Sequence, residues 1–386
     1  MTRPSVQDAS NAGPQDELLP FLNNFHDIFT SLGVLILFVG LGLGVGQTMA
    51  QFALSVETDA GYYALAALLF AVALASWMIS SVLVARQRRI LPGILLCLIF
   101  IGLMTAVTAM LYTKAIGHSV MEHSLSAFET ELDTRVSGEI TRADAQAIMA
   151  TLPWGLKLAP IVFALGFLSS AYAYYRSFRL PFAGGLTGVA LVALALSVLL
   201  IVDPYTLVVY NPLINLAAGL SLFFAGLFFD MRDPERQTRL SGNGFWLHFF
   251  AAPTLLQAVI FIATIGWKIE FTEEFGQRWI ATMGGEGAAY AAGVTLGVIA
   301  VFAIVSLLIN RRALIVAGLI TTGISIAVLF NQLNLDGVLV VTVTLLALGA
   351  TVVLLGAAWT PARAILRAPF PQTGFFGRLF PPLIQE

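Results

Sequence analysis

The run ILPGILLCLIFIGLMTAVTAML, Ile90 to Leu111, decides the fold. It holds no charged residue, is apolar on every face, and follows directly on Arg86, Arg88 and Arg89. A membrane β-strand alternates apolar and polar positions over about ten residues. Here both sets of alternate positions are apolar, so the run fits a helix crossing a bilayer, for which about 20 residues suffice. Nine more runs of this kind flank it: Ile28–Leu54, Tyr62–Val84, Leu156–Tyr175, Phe182–Val202, Leu213–Phe229, Phe245–Trp267, Ala288–Ile309, Ala313–Phe330 and Val338–Trp359. The chain therefore reads as an all-α integral membrane protein, a bundle of about ten transmembrane helices over residues 28–359.

Composition agrees. Of 386 residues 58% are hydrophobic and only 11% charged, and mean hydropathy is +0.87, whereas a soluble domain carries about 25% charged residues. The single cysteine, Cys97, lies inside the opening run, which excludes disulfides and thiolate metal sites. Basic residues set the expected orientation, because Lys and Arg in short loops resist translocation. One face collects Arg3, Arg86, Arg88, Arg89, Arg176, Arg179, Arg232, Arg236, Arg239, Arg311, Arg312, Arg363, Arg367 and Arg378. The other collects Lys114, Arg135, Arg142, Lys157, Lys268 and Arg278. With the richer face inside, both termini are expected to be cytosolic.

Three segments lie outside the ten runs. Residues 1–27 are polar and lack the basic and apolar regions of a cleaved signal, so they are expected to stay on the mature protein. Leu18, Leu22, Phe25 and Phe29 draw an apolar stripe there that suggests a short interfacial helix. Residues 112–155 form the one long outer connection, expected as two short helices joined at Ser137-Gly138, with Thr141 capping the second. The tail, 360–386, holds Pro361, Pro369, Pro371, Pro381 and Pro382, cannot be one helix, and is expected to lie irregularly along the inner surface.

Chemistry-bearing motifs are few. Gly40, Gly42, Gly44 and Gly46 in the first run, with Gly184/Gly188 and Gly293/Gly297, make overlapping GxxxG patterns, read first as close helix packing and second as a flexible helix lining a solute path. His118 and His123 in HSVMEH are five apart, about 140° round a helix, so they share no face for a metal. Glu273 to Arg278 reproduces the EExxxR pattern of intramembrane CAAX-protease-like enzymes, but the only nearby histidine, His248, lies a membrane's thickness away in sequence terms. That match is assigned to chance. No Asp, Glu, Lys or Arg sits near the middle of any run, where ion-coupled carriers keep one. Gln257 is the exception among milder polar groups, since an amide in hydrocarbon needs a partner while a hydroxyl can bond back to its own helix.

The stretch Arg239 to Pro253, RLSGNGFWLHFFAAP, is the most singular. It brings interfacial aromatics, His248 one turn into the run, and Pro253 where a kink frees a carbonyl. Together with Phe25-His-Asp27-Ile-Phe and Trp359-Thr-Pro-Ala-Arg363 it resembles a family of uncharacterised bacterial polytopic membrane proteins (a domain of unknown function). The resemblance implies a bacterial cytoplasmic membrane and no activity. The candidate functional residues are His248, Asp27, Gln257, Pro253 and Arg239, with His248 and Asp27 expected to meet at the cytosolic edge. No catalytic or metal constellation assembles, and no cofactor or nucleic-acid partner is expected. The expected partners are the lipid bilayer and a small-molecule or lipid substrate. Two functions stay open: a carrier for an uncharged or lipid-like small molecule, or a non-catalytic membrane scaffold or accessory subunit.

Overall fold

A computed structural model describes residues 25–135, 140–234, 239–270, 288–331, 337–371 and 373–380. It is all-helical, with no strand among the described residues. In chain order the helices are α1 (Phe25–Gln51), α2 (Asp59–Ser80), α3 (Leu91–Ile116), α4 (His118–Arg135), α5 (Arg142–Ala150), α6 (Trp154–Phe178), α7 (Pro181–Val202), α8 (Pro204–Val209), α9 (Asn211–Arg232) and α10 (Arg239–Thr264). There follow α11 (Ala288–Ile309), α12 (Ala313–Asn331), α13 (Gly337–Ala357), α14 (Trp359–Arg367) and α15 (Gly374–Leu379). A π-helical segment, Ser81–Arg86, continues α2.

Local chemistry places the boundaries. Thr58 caps α2, its hydroxyl accepting from Gly61 N–H. Pro92, Pro181 and Pro212 sit in the first turns of α3, α7 and α9, where a missing N–H costs nothing. Thr141 and Asp144 close a reciprocal capping box at the start of α5, as the sequence implies. Among the described residues eight helices are long and apolar enough to cross a membrane: His26–Gln51, Asp59–Arg86, Leu91–Ile116, Trp154–Phe178, Pro181–Val202, Asn211–Arg232, Ser241–Thr264 and Ala289–Ile309. Their large apolar side chains face outward freely, Leu43 at 72% exposure and Val202 at 73%, the pattern of a surface made for lipid rather than water. The ninth and tenth expected runs are also helical, as α12 and α13.

Chain contacts divide the protein into two compact units, one of residues 19–136 and 141–205, the other chiefly 206–386. In the N-terminal unit α2, α3, α6 and α7 pack around Trp77, Phe100, Tyr174 and Phe178, whose ring centroids lie 4.6–6.1 Å apart. In the C-terminal unit α9 and α10 form the tightest pair, burying Leu222, Leu247, Ala251, Ala252 and Leu255.

Three expectations change. The tail is not irregular: α14 and α15 occupy part of it, because Pro361 falls in the first turn of α14 and breaks nothing. The tenth run does not continue through Trp359, which instead opens α14. The glycines of α1 meet no neighbouring helix among the described residues, none of which lies within 4 Å of where a side chain at Gly40, Gly42, Gly44 or Gly46 would begin, and the same holds at Gly293 and Gly297. The expected interfacial helix before Phe25 and the Ser137-Gly138 joint lie outside the described residues.

Candidate functional site

The most constrained polar chemistry lies in the C-terminal unit, where α9, α10 and the α11–α12 turn converge. Gly226 and Asp230 stand one turn apart on α9, as do Gly244 and His248 on α10, so each pair shares a face. The pairs fit each other reciprocally. A methyl group at Gly226 would lie 2.8 Å from the imidazole of His248, and one at Gly244 would fall on the Asp230 carboxylate. Two missing side chains thus make the room that two polar side chains fill.

The third member comes from a turn. Asn310 takes the left-handed conformation, φ 54°, at the end of α11, which only Gly, Asn and Asp adopt readily. Arg311 follows, its N–H donating to Ser306 carbonyl at 2.8 Å and its own carbonyl accepting from the Ser306 hydroxyl. This clamp aims the Arg311 guanidinium at Asp230: Nη2 donates to Oδ1 at 2.7 Å and Nε reaches both oxygens at 3.2 Å. Nη2 also donates to the Ser241 carbonyl at 2.7 Å. On the far side Asp230 Oδ2 accepts from His248 Nε2 at 3.0 Å. His248 and Arg311 have no exposed surface, and Asp230 is 6% exposed.

Chemically this is a neutralised cluster. A carboxylate accepting from both partners requires the proton on His248 Nε2, a tautomer assigned from the bonding. Nδ1 is left buried with no hydrogen-bond partner among the described residues, and the Phe223 ring centroid lies 4.9 Å from that of the imidazole. A relay of the Ser-His-Asp kind would need a hydroxyl or thiol at Nδ1, and none is bonded there. The described residues hold no group of three or more metal-ligating side chains. What the arrangement does is lock three backbone segments together through one carboxylate.

The sequence-derived candidates are scattered. Asp27 and His248 fall in different units, and each has an ionisable partner within its own: Asp27 bonds Arg89 at 3.0 Å, tying α1 to the α2–α3 connection, while His248 bonds Asp230. Gln257 and Pro253 lie on one exposed face of α10. Arg239 opens α10 and its side chain lies outside the described residues, as do the His118 side chain and the EExxxR segment. Asp230, Arg311 and the two glycines were missed, because Asp230 and Arg311 read as ordinary loop charges. The available signal was the matched spacing Gly226–Asp230 and Gly244–His248 on consecutive helices.

Compared with family models, curated proteins and solved structures, the chain matches none. The likeness to uncharacterised bacterial membrane proteins rests on its three short segments alone.

Proposed function

We propose that the protein is a ten-span carrier of the bacterial inner membrane, with both termini cytosolic, for an uncharged or lipid-like small molecule. One observation carries the reading: α10 turns Pro253 and Gln257 outward together in an apolar span. Pro253 has no N–H to give the Phe249 carbonyl, and Gln257 adds an amide one turn further on. In hydrocarbon each is costly without a partner. A hydroxyl group of a passing solute satisfies both, donating to the Phe249 carbonyl and accepting from the Gln257 amide, without the midplane charge that ion coupling would need. The orientation is supported by the division of basic residues between the loops.

The test is reconstitution of the full chain in phosphatidylcholine vesicles carrying a trace of fluorescent phosphatidylcholine, with outer-leaflet quenching as the readout; glycerol influx by light scattering serves for a small uncharged solute. The carrier reading expects one of the two fluxes to exceed that of protein-free vesicles and to fall about tenfold in Gln257→Leu. Fluxes at the protein-free level for both probes would defeat it.

The scaffold reading has its own support in α1, whose glycine face is open and of a kind that admits a partner helix closely. Under it, both fluxes stay at background.

A further inference from the structure

Helix α14 wears its amphipathicity inside out. Trp359, Arg363 and Arg367 recur every fourth residue and share one face, and that face is the buried one, with exposures of 6%, 5% and 4%. Ile365, on the opposite side, is 74% exposed. The helix packs against α11 and α13. Trp359 is pinned there, its indole N–H donating to Asn310 Oδ1 at 3.1 Å while the Arg312 guanidinium lies 4.8 Å from the ring centroid.

Burying arginine is unfavourable unless its donors are met. Arg311, in the neighbouring turn, shows what a met arginine looks like: a carboxylate and a carbonyl take its hydrogen bonds. Arg367 is different. Its Nε and Nη2 are buried with no hydrogen-bond partner among the described residues. Burial pulls its guanidinium below the ordinary value, because desolvation disfavours the charged form.

We propose that Arg367, with Arg363 one turn away on the same buried face, binds a phosphate-bearing anion. The planar guanidinium fork matches phosphate oxygens two at a time, and two such forks on one helix face suit a group with several anionic oxygens better than a single carboxylate. Position favours the same chemistry. α14 starts immediately after the apolar helix α13 and shows Ile365 outward, so its arginines lie at the end of an apolar helix, where lipid headgroups meet protein. The phosphate has two sources, a phospholipid headgroup or a soluble phosphate compound. The inference stands apart from the carrier reading, since a bound phosphate serves a scaffold equally.

The experiment uses the full chain, purified and delipidated in a nonionic detergent, with melting temperature and binding followed on addition of dioleoylphosphatidylglycerol or of inorganic phosphate. The expected result is a melting temperature raised by an anion in the unaltered protein, with binding weakened about tenfold or more in Arg367→Gln, a loss of about 1.4 kcal/mol. Stabilisation by phosphatidylglycerol alone assigns the site to lipid; stabilisation by inorganic phosphate assigns it to a soluble compound. Arg367→Lys keeps the charge without the fork and should retain part of the shift, so it decides the matter if the glutamine variant fails to fold. Without added anion, Arg367→Gln should melt no lower than the unaltered protein, because a buried cation whose Nε and Nη2 find no partner among the described residues has been removed. No shift with either anion, or an equal shift in both variants, overturns the proposal.

Discussion

The two units solve the same problem, holding polar groups inside an apolar bundle, in opposite ways. In the aromatic core of the N-terminal unit the buried polar atoms are neutral. Ser76 Oγ donates to the Leu96 carbonyl at 2.8 Å, Ser80 Oγ to the Ser76 carbonyl at 2.7 Å, and the Tyr174 hydroxyl sits 2.8 Å from Ser80 Oγ amid Trp77, Phe100 and Phe178. Most of these bonds end on backbone carbonyls that are present whatever the side chains do, so each hydroxyl can be lost singly. Where α9 meets α10 in the C-terminal unit the buried groups are Asp230, His248 and Arg311, and His248 and Arg311 both depend on the Asp230 carboxylate. The comparison teaches that tolerance to change is set by where a polar group finds its partner, in the backbone or in another ionisable side chain.

The largest expected effect tests that statement directly. Asp230→Ala leaves Arg311 buried without its carboxylate and should destabilise the protein by about 3–5 kcal/mol. Asp230→Leu combined with Arg311→Met removes both charges and should cost clearly less than either single change. Thermal or denaturant unfolding in detergent measures Asp230→Ala, the double variant and its two singles, and a double variant as unstable as the sum of the singles would break the comparison.

A smaller effect is expected in the other core. Tyr174→Phe removes one hydroxyl but leaves Ser80 bonded to the Ser76 carbonyl, so the loss should be about 0.5–1.5 kcal/mol by the same unfolding measurement. A loss near that of Asp230→Ala would show that the aromatic cluster is no more tolerant than the charge cluster.

The smallest effect separates charge from burial. At α5, Asp144 accepts from the Thr141 hydroxyl and N–H and from Arg135, bonds that hold its carboxyl below the usual carboxylate value, the Thr141 hydroxyl contributing most. A lowered folded-state value means the contribution is complete above the ordinary pKa of about 3.8 and is lost as pH falls through the lowered one. Hydrogen-exchange protection of the α5 amides in the full chain should therefore hold between about pH 7 and pH 5 and decline below about pH 4. Protection that declines already above about pH 5 would mean Asp144 is not the group that titrates. The site is exposed, and solvent screens its charges, so global stability should hardly change.

Much of the architecture was legible because hydrophobicity is additive along a chain. The eight apolar helices coincide with runs visible in the sequence, and Thr141 announces α5 because an N-cap is bonded within three residues of itself. Contacts between distant residues were not legible. The α1 glycines form a packing motif on paper, yet no atom of the described residues fills them. Counting charges by loop concealed Asp230 and Arg311, since a tally records the side of a charge and not its partner.

The sequence by itself determined that the chain is helical, that its long apolar helices suit a membrane, and where several of those helices begin, because these depend on composition, period and caps within a few residues. Only the tertiary structure decided that His248 bonds Asp230, that Arg311 completes the cluster, and that Gln257 faces outward. Those outcomes depend on which helix faces meet, and in an apolar chain almost every face is equally greasy. Hydrophobic period cannot then choose a helix's neighbours. The choice falls to a few glycines that let helices approach and a few charges that must be paired.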